Sequence, residues 1–157
     1  MTEYKVILAG DGGVGKTALI HRILHGEFNP RYVATSGVEI STIEDGPCKY
    51  NIWDIAGQEK YSDQNERNSK YCDSNLGIIM CSNSSRLSWG SVQKWRQDIL
   101  NVCGDIPIII VNNKIDVQSC PMLSENEAEC NISTRNNTGI DGLLIKMYGK
   151  LNSVNMA

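Results

Sequence analysis

The sequence predicts an α/β fold: a six-stranded, mostly parallel sheet with helices on both faces and one antiparallel hairpin strand. Three observations lead there. Short, continuous apolar runs recur along the chain, as at 76–81 and 106–111, and such runs are the mark of strands covered on both sides. Amphipathic stretches lie between them; Val92, Trp95, Ile99 and Val102 fall three, four and three residues apart, on one face of a helix. A single tight-turn signal, Asp45-Gly46-Pro47, joins two neighbouring strands and makes the sheet mixed.

The elements follow in order. Residues 4–9 (YKVILA) form a first strand, ended by glycines at positions 10, 12, 13 and 15, and 18–25 a helix with Leu19, Ile23 and Leu24 on one side. Residues 37–43 and 48–53 are the two hairpin strands. The polar stretch 62–75 is long for a loop and poor in apolar anchors; it gains little from burial and is expected to be mobile. A buried strand at 76–81, the helix of Trp95 and a strand at 106–111 come next. A sixth strand is read at 130–132, and 140–151 closes the chain as a helix weakened by Gly142 and Gly149. In such a sheet, ligands bind at the loops beyond the carboxyl ends of the strands.

Composition bounds the rest. A chain of 157 residues suits one domain, and 41% apolar content supplies a core. The net charge of −3 argues against a general nucleic-acid binder and against a polybasic membrane anchor. No apolar run reaches the roughly 18–20 residues that span a bilayer. The first residues read as neither a signal peptide nor a myristoylation site, and the last six contain no cysteine for a prenyl group, so no membrane anchor is expected. Six scattered cysteines without a CxxC pair read as reduced thiols. His21 and His25 have metal-binding spacing but no evident third ligand, and are taken as a solvated helix face.

Gly10-Asp11-Gly12-Gly13-Val14-Gly15-Lys16-Thr17 fits GxxxxGK[ST] between a strand and a helix. Average composition yields this pattern by chance in roughly one chain in 200 of this length, so the strand-loop-helix setting decides for a phosphate cradle over an ordinary turn. The glycines let backbone N–H groups turn inward, Lys16 reaches β- and γ-phosphates, and the Thr17 hydroxyl ligates Mg²⁺. The second motif is Asp54-Ile55-Ala56-Gly57-Gln58, at the end of a hairpin strand. There Asp54 can hold Mg²⁺ through water, Gly57 can offer an N–H to the γ-phosphate, and Gln58 can orient the attacking water. The third is Asn113-Lys114-Ile115-Asp116. A carboxylate at Asp116 accepts from both N1–H and the 2-amino group of guanine, whereas adenine would leave it unpaired.

Taken together, GDGGVGKT, Thr35, DIAGQ and NKID resemble the Ras superfamily and, more narrowly, its Ran group. The Ran-like stretches are Gly26-Glu27-Phe28, Tyr32-Val33-Ala34-Thr35, Gly37-Val38-Glu39, Trp53-Asp54, Ala56-Gly57-Gln58-Glu59-Lys60, and Trp95-Arg96-Gln97-Asp98 leading to Ile106-Pro107-Ile108. The resemblance implies a single G domain over 1–157 with a P-loop at 10–17, switch I at about 26–37 and switch II at about 54–75. It implies a GTP/GDP switch with Mg²⁺, slow hydrolysis, an exchange factor, an activating protein, effectors and a monomeric state. A cytoplasmic location is expected, with nuclear entry left open. Thr35 would contact Mg²⁺ and the γ-phosphate, Phe28 would pack on the base, and Tyr32 would lie near the γ-phosphate. Asp11 through Ala18 would surround the phosphates, and Ser133-Thr134-Arg135 would stand where the family's Ser-Ala-Lys motif presents a backbone N–H to guanine O6.

Several positions depart from the pattern. The β-branched Thr134 is expected to shift its loop, and nucleotide affinity to weaken with it. Ser82 stands where the family usually has aspartate, so a side-chain bond at that strand end is expected to be missing. The segment between Asp116 and Ser133 is short, with Glu125, Glu127 and Glu129 and no lysine or arginine from 117 to 131. The Ran group's long acidic extension is not seen after the closing helix. These changes fall on partner surfaces rather than on the nucleotide pocket. An active switch is thus set against a nucleotide-bound module that does not cycle, and against another P-loop enzyme such as a small kinase, for which no acceptor site or lid is found. No arginine is clearly placed to act in cis; Arg31, four residues before Thr35, reads as a solvated or partner-facing charge.

Overall fold

The computed structural model describes residues 1–26, 38–57, 63–117 and 128–155. Its strands are β1 (Thr2–Ala9), β2 (Val38–Asp45), β3 (Cys48–Ile55), β4 (Leu76–Ser82), β5 (Ile108–Asn113) and β6 (Cys130–Asn131). They form one six-stranded sheet in the order β2-β3-β1-β4-β5-β6. Only β2 and β3 pair antiparallel; Asp45 opposite Cys48 leaves Gly46 and Pro47 as the two turn residues. The other pairings are parallel.

The alternation of β1 divides the core. Tyr4, Val6 and Leu8 face one side, with Leu19 and Ile20 of α1 (Lys16–His25) and Leu143, Met147 and Leu151 of α5 (Ile140–Asn155). Ile7 and Ala9 face the other, with Val92, Trp95 and Ile99 of α4 (Val92–Cys103). β4 is buried along its whole length, which is why it reads as an unbroken apolar run. β5 begins two residues later than the apolar pattern suggests. Pro107 has no N–H for a ladder; it serves only as acceptor, from Gly77 N at 3.0 Å. Asn113 consequently lies inside the strand rather than after it.

Two helices escape the apolar pattern. α2 (Gln64–Tyr71) occupies much of the polar stretch expected to be a mobile loop. Local chemistry starts it: the Asp63 side chain accepts from Glu66 N at 2.9 Å, an N-cap that needs no apolar periodicity. One anchor suffices at its other end, where Tyr71 is fully buried and its carbonyl accepts from Cys103 Sγ. The Cys72 carbonyl takes the Lys5 ammonium at 2.8 Å, and that ammonium also lies 3.9 Å over the Trp53 ring. α3 (Arg86–Gly90) is a single short turn started by Ser85, whose side chain accepts from Ser88 N.

The missing bond predicted at Ser82 is also corrected. Its hydroxyl accepts from Ser84 N at 3.2 Å and contacts Ser84 Oγ at 2.8 Å, so a serine pair does what one longer acid would do. The Trp89 indole closes the same corner by donating to the Ser82 carbonyl. Of the cysteines, Cys48, Cys72, Cys81, Cys103 and Cys130 form no disulfide among the described residues, and Cys120 lies outside them. Burial pushes the Cys103 and Cys130 thiols up, keeping them protonated. His21 and His25 pack ring to ring on α1 with centroids 4.7 Å apart. No helix among the described residues is long and apolar enough to cross a membrane.

The helix over 140–151 runs four residues further, to Asn155, despite its two glycines. A Cβ added at Gly142 or Gly149 would meet nothing within 4 Å. Gly142→Ala and Gly149→Ala should therefore each raise unfolding free energy by roughly 0.5–1 kcal/mol in urea titration, through helix propensity alone. A loss of stability in either would show that the exposed face of α5 is packed in solution.

Candidate functional site

The carboxyl ends of β1, β3, β5 and β6 bring the motif residues to one edge of the sheet. β1 delivers the loop 10–15 to α1, whose N-cap Gly15 sits in the left-handed region at φ 99° with no side-chain cap and no acid in the first turn. The positive end of the helix is thus left uncompensated by the protein, a natural seat for an anion. A Cβ at Gly15 would also strike the Asn113 amide, so glycine is required twice over.

Lys16 is almost fully buried and folds back over its own loop. Its ammonium donates to Gly10 O at 2.7 Å and Asp11 O at 3.1 Å, leaving a third N–H for a phosphate oxygen. Desolvation lowers its pKa, and Asp54 and then Asp11 oppose that shift. The Thr17 hydroxyl donates to Asp54 Oδ2 at 2.7 Å, bringing two hard oxygen donors together on α1 and β3. This donor chemistry fits Mg²⁺. Gly57 backs directly onto the loop: a Cβ there would strike Gly12 N and come within 2.9 Å of Gly12 Cα.

The base end is held as tightly. Asn113 donates to Val14 O at 2.9 Å, while its carbonyl accepts from Thr134 N and Thr134 Oγ1, both at 3.1 Å. Lys114 takes φ 63°, a left-handed conformation costing on the order of 1–2 kcal/mol, and its ammonium reaches Gly13 O at 2.7 Å. Ser133 Oγ donates to Asp116 Oδ1 at 2.7 Å and accepts from Asn136 N. That bond orients the carboxylate and leaves lone pairs for two further donors. The hydroxyl of Thr134, which an alanine would lack, donates to the same acceptor as its own N–H.

A family model described as Ras family matches residues 5–139. The chain belongs to the Ras family. It is accordingly a GTP-binding small GTPase, and Ras-family GTPases in general bind GTP or GDP with Mg²⁺. Of the site residues expected from the sequence, Asp11 to Ala18, Asp54, Gly57, Asn113, Lys114, Asp116 and Ser133 to Arg135 are described, on the P-loop, β3 and base-loop elements. Phe28, Tyr32, Thr35, Gln58 and also Arg31, Glu125 and Glu127 lie outside the described residues.

Two supporting residues of this Ras-family site were not foreseen. Trp95 Nε1 donates to Asp11 Oδ1 at 3.1 Å, and Ser91 Oγ donates to Asp11 Oδ2 at 2.7 Å. Both carboxylate oxygens of a P-loop residue are thereby fastened to α4. Trp95 reads as a plain core residue in sequence; only its buried indole N–H, which must find an acceptor, hints at more. Trp95→Phe removes the donor and also leaves a smaller ring in a fully buried site. It should lower stability in denaturant titration by more than the hydrogen bond alone, and about 1–2 kcal/mol of that cost, the share of the bond, should disappear when Asp11→Ala is already present.

Proposed function

We propose that the protein is a GTP/GDP switch of the Ran-like kind, with slow intrinsic hydrolysis and switch segments ordered by the γ-phosphate. The Ran-like stretches of sequence support the subgroup. One observation carries the mechanism: the second motif is seated on the first, with Gly57 against Gly12 and Asp54 bonded to Thr17. A γ-phosphate bound over the P-loop would lie at the junction of both.

In this reading Lys16, already desolvated, gives its remaining N–H and its charge to the β- and γ-oxygens. Asp11 to Ala18 line the phosphates through the backbone. Thr17 and Thr35, with Asp54 through water, would hold Mg²⁺, and the ion would supply charge neutralisation on the transferring phosphate. Gly57 donates its N–H to the γ-phosphate, and Gln58 orients the attacking water. Asp116, aligned by Ser133, takes the two guanine donors, with Asn113, Lys114, Phe28 and the loop 133–135 around the base and Tyr32 near the γ-phosphate. Loss of the γ-phosphate would release Thr35 and Gly57 together. An activating partner would supply the missing arginine, and an exchange factor would open the site. The chain would act as a monomeric single G domain, in the cytoplasm or the nucleus.

A second reading has its own support. The surface of α2 is polar, with Asn65, Glu66, Asn68 and Ser69 outward, and offers a partner no apolar anchor. An interaction module that holds nucleotide without cycling, and competes with a related switch for its partners, would not depend on this segment changing state.

Single-turnover hydrolysis of preloaded GTP with Mg²⁺, with Gln58→Leu beside wild type, separates the two. Slow phosphate release that the substitution abolishes is the expected result. GTP retained without turnover, even with added activating protein, would favour the static module. The base assignment has its own test: Asp116→Asn should weaken GTP at least tenfold and gain xanthosine triphosphate, whose 2-carbonyl accepts from the new amide. Equal GTP affinity in the variant would remove Asp116 from base recognition.

A further inference from the structure

Arg22 lies on α1, six residues beyond Lys16, and no part of the motif pattern marks it. Its three guanidinium nitrogens each serve a different backbone carbonyl. Nε donates to Thr134 O at 3.0 Å, Nη2 to Arg135 O at 2.7 Å and Nη1 to Gly26 O at 3.1 Å. The first two carbonyls are consecutive in the base loop; the third belongs to the C-cap of α1, where the stretch leading to Phe28 begins. A planar fork can make all three bonds at once, and a lysine ammonium on a flexible stem is a poor substitute.

The consequence follows from peptide geometry. In a trans peptide the C=O of one residue and the N–H of the next point in opposite directions. Holding the Thr134 carbonyl therefore aims the Arg135 N–H away from Arg22. Holding the Arg135 carbonyl does the same for Asn136 N–H, which reaches Ser133 Oγ at 3.1 Å. Two other donors in the loop are committed: Ser133 N to Thr138 O at 3.0 Å, and Thr134 N to Asn113 Oδ1. Within the clamped pair 134–135, the Arg135 N–H is the donor without an acceptor among the described residues.

We propose that Arg22 is a positioning residue for base recognition, which clamps the loop 134–135 to the end of α1 and so aims the Arg135 N–H at a carbonyl oxygen of the bound base. The proposal rests on the guanine-nucleotide reading above. Arg22 touches no nucleotide in this scheme; it sets where the loop stands relative to the helix that carries the phosphate-binding Lys16. Phosphate binding and base binding are thus tied by one side chain across one helix.

The test is competition of GDP and of ADP against fluorescent mant-GDP on the full chain, for wild type, Arg22→Ala and Arg22→Lys, with melting curves of each nucleotide-free protein. ADP, held by its phosphates, reports on the P-loop alone. Arg22→Ala should weaken GDP on the order of tenfold, the scale of one charge-assisted hydrogen bond, and leave ADP unchanged, so that the guanine preference falls by the same factor. Arg22→Lys should fall between, and serves alone if the alanine variant does not fold. Equal losses for GDP and ADP with a lower melting temperature would reduce Arg22 to general stability and overturn the proposal, as would an unchanged GDP affinity. A wild type that takes up no mant-GDP would overturn the underlying reading and this inference with it.

Discussion

One buried amide holds the site together. Asn113 donates to the P-loop at Val14 and accepts twice from Thr134, so its side chain spans the phosphate loop and the base loop. Each of those loops is otherwise a run of backbone polar groups with little apolar mass, and neither could hold a shape alone. Buried in the sheet edge, the amide makes bonds that water cannot compete for, and losing any of them would leave a desolvated partner. The glycine at 15 exists partly to let that amide approach.

The wider architecture serves the same constraint. Parallel strands release their loops on one edge, and the crossover helices carry supports back to it. α4 returns Trp95 and Ser91 to Asp11, and α1 returns Arg22 to the base loop. The same α4 bears Asp98, buried between Lys94 at 2.9 Å and Arg67 of α2 at 3.9 Å. The P-loop and α2 thus lean on a single helix about one turn apart, at Trp95 and at Asp98. A movement of either is felt at a shared, rigid surface, which is a physical setting in which a switch segment and a phosphate loop can influence each other.

Most of the sheet was legible because burial on two faces writes long apolar runs, and the hairpin because its turn has few permitted residues. The fold's departures have equally local causes. Pro107 delayed β5 by withholding a donor. The Asp63 cap and the single anchor Tyr71 made a helix of a stretch whose composition argued for a mobile loop. Ser82 and Ser84 together replaced an expected acid, and the hydroxyl of Thr134 added a bond to Asn113. In each case one or two hydrogen bonds outweighed an average preference, and averages are what a pattern read along the chain reports.

The motifs alone were enough to point to phosphate, metal and guanine chemistry, since GxxxxGK[ST], DxxG and NKxD each place a functional group next to a backbone turn that their own glycines and polar residues build. That information is local, and it survives without a fold. What aims those groups is not local. Trp95 lies 84 positions from Asp11, and Arg22 lies 112 from the Thr134 carbonyl it holds. A tryptophan on a core face and an arginine on an amphipathic helix have no signature beyond their type. Only the packing of helices against the sheet decides which distant carbonyl or carboxylate a buried donor must find, because an unpaired one would cost more than the fold can spare.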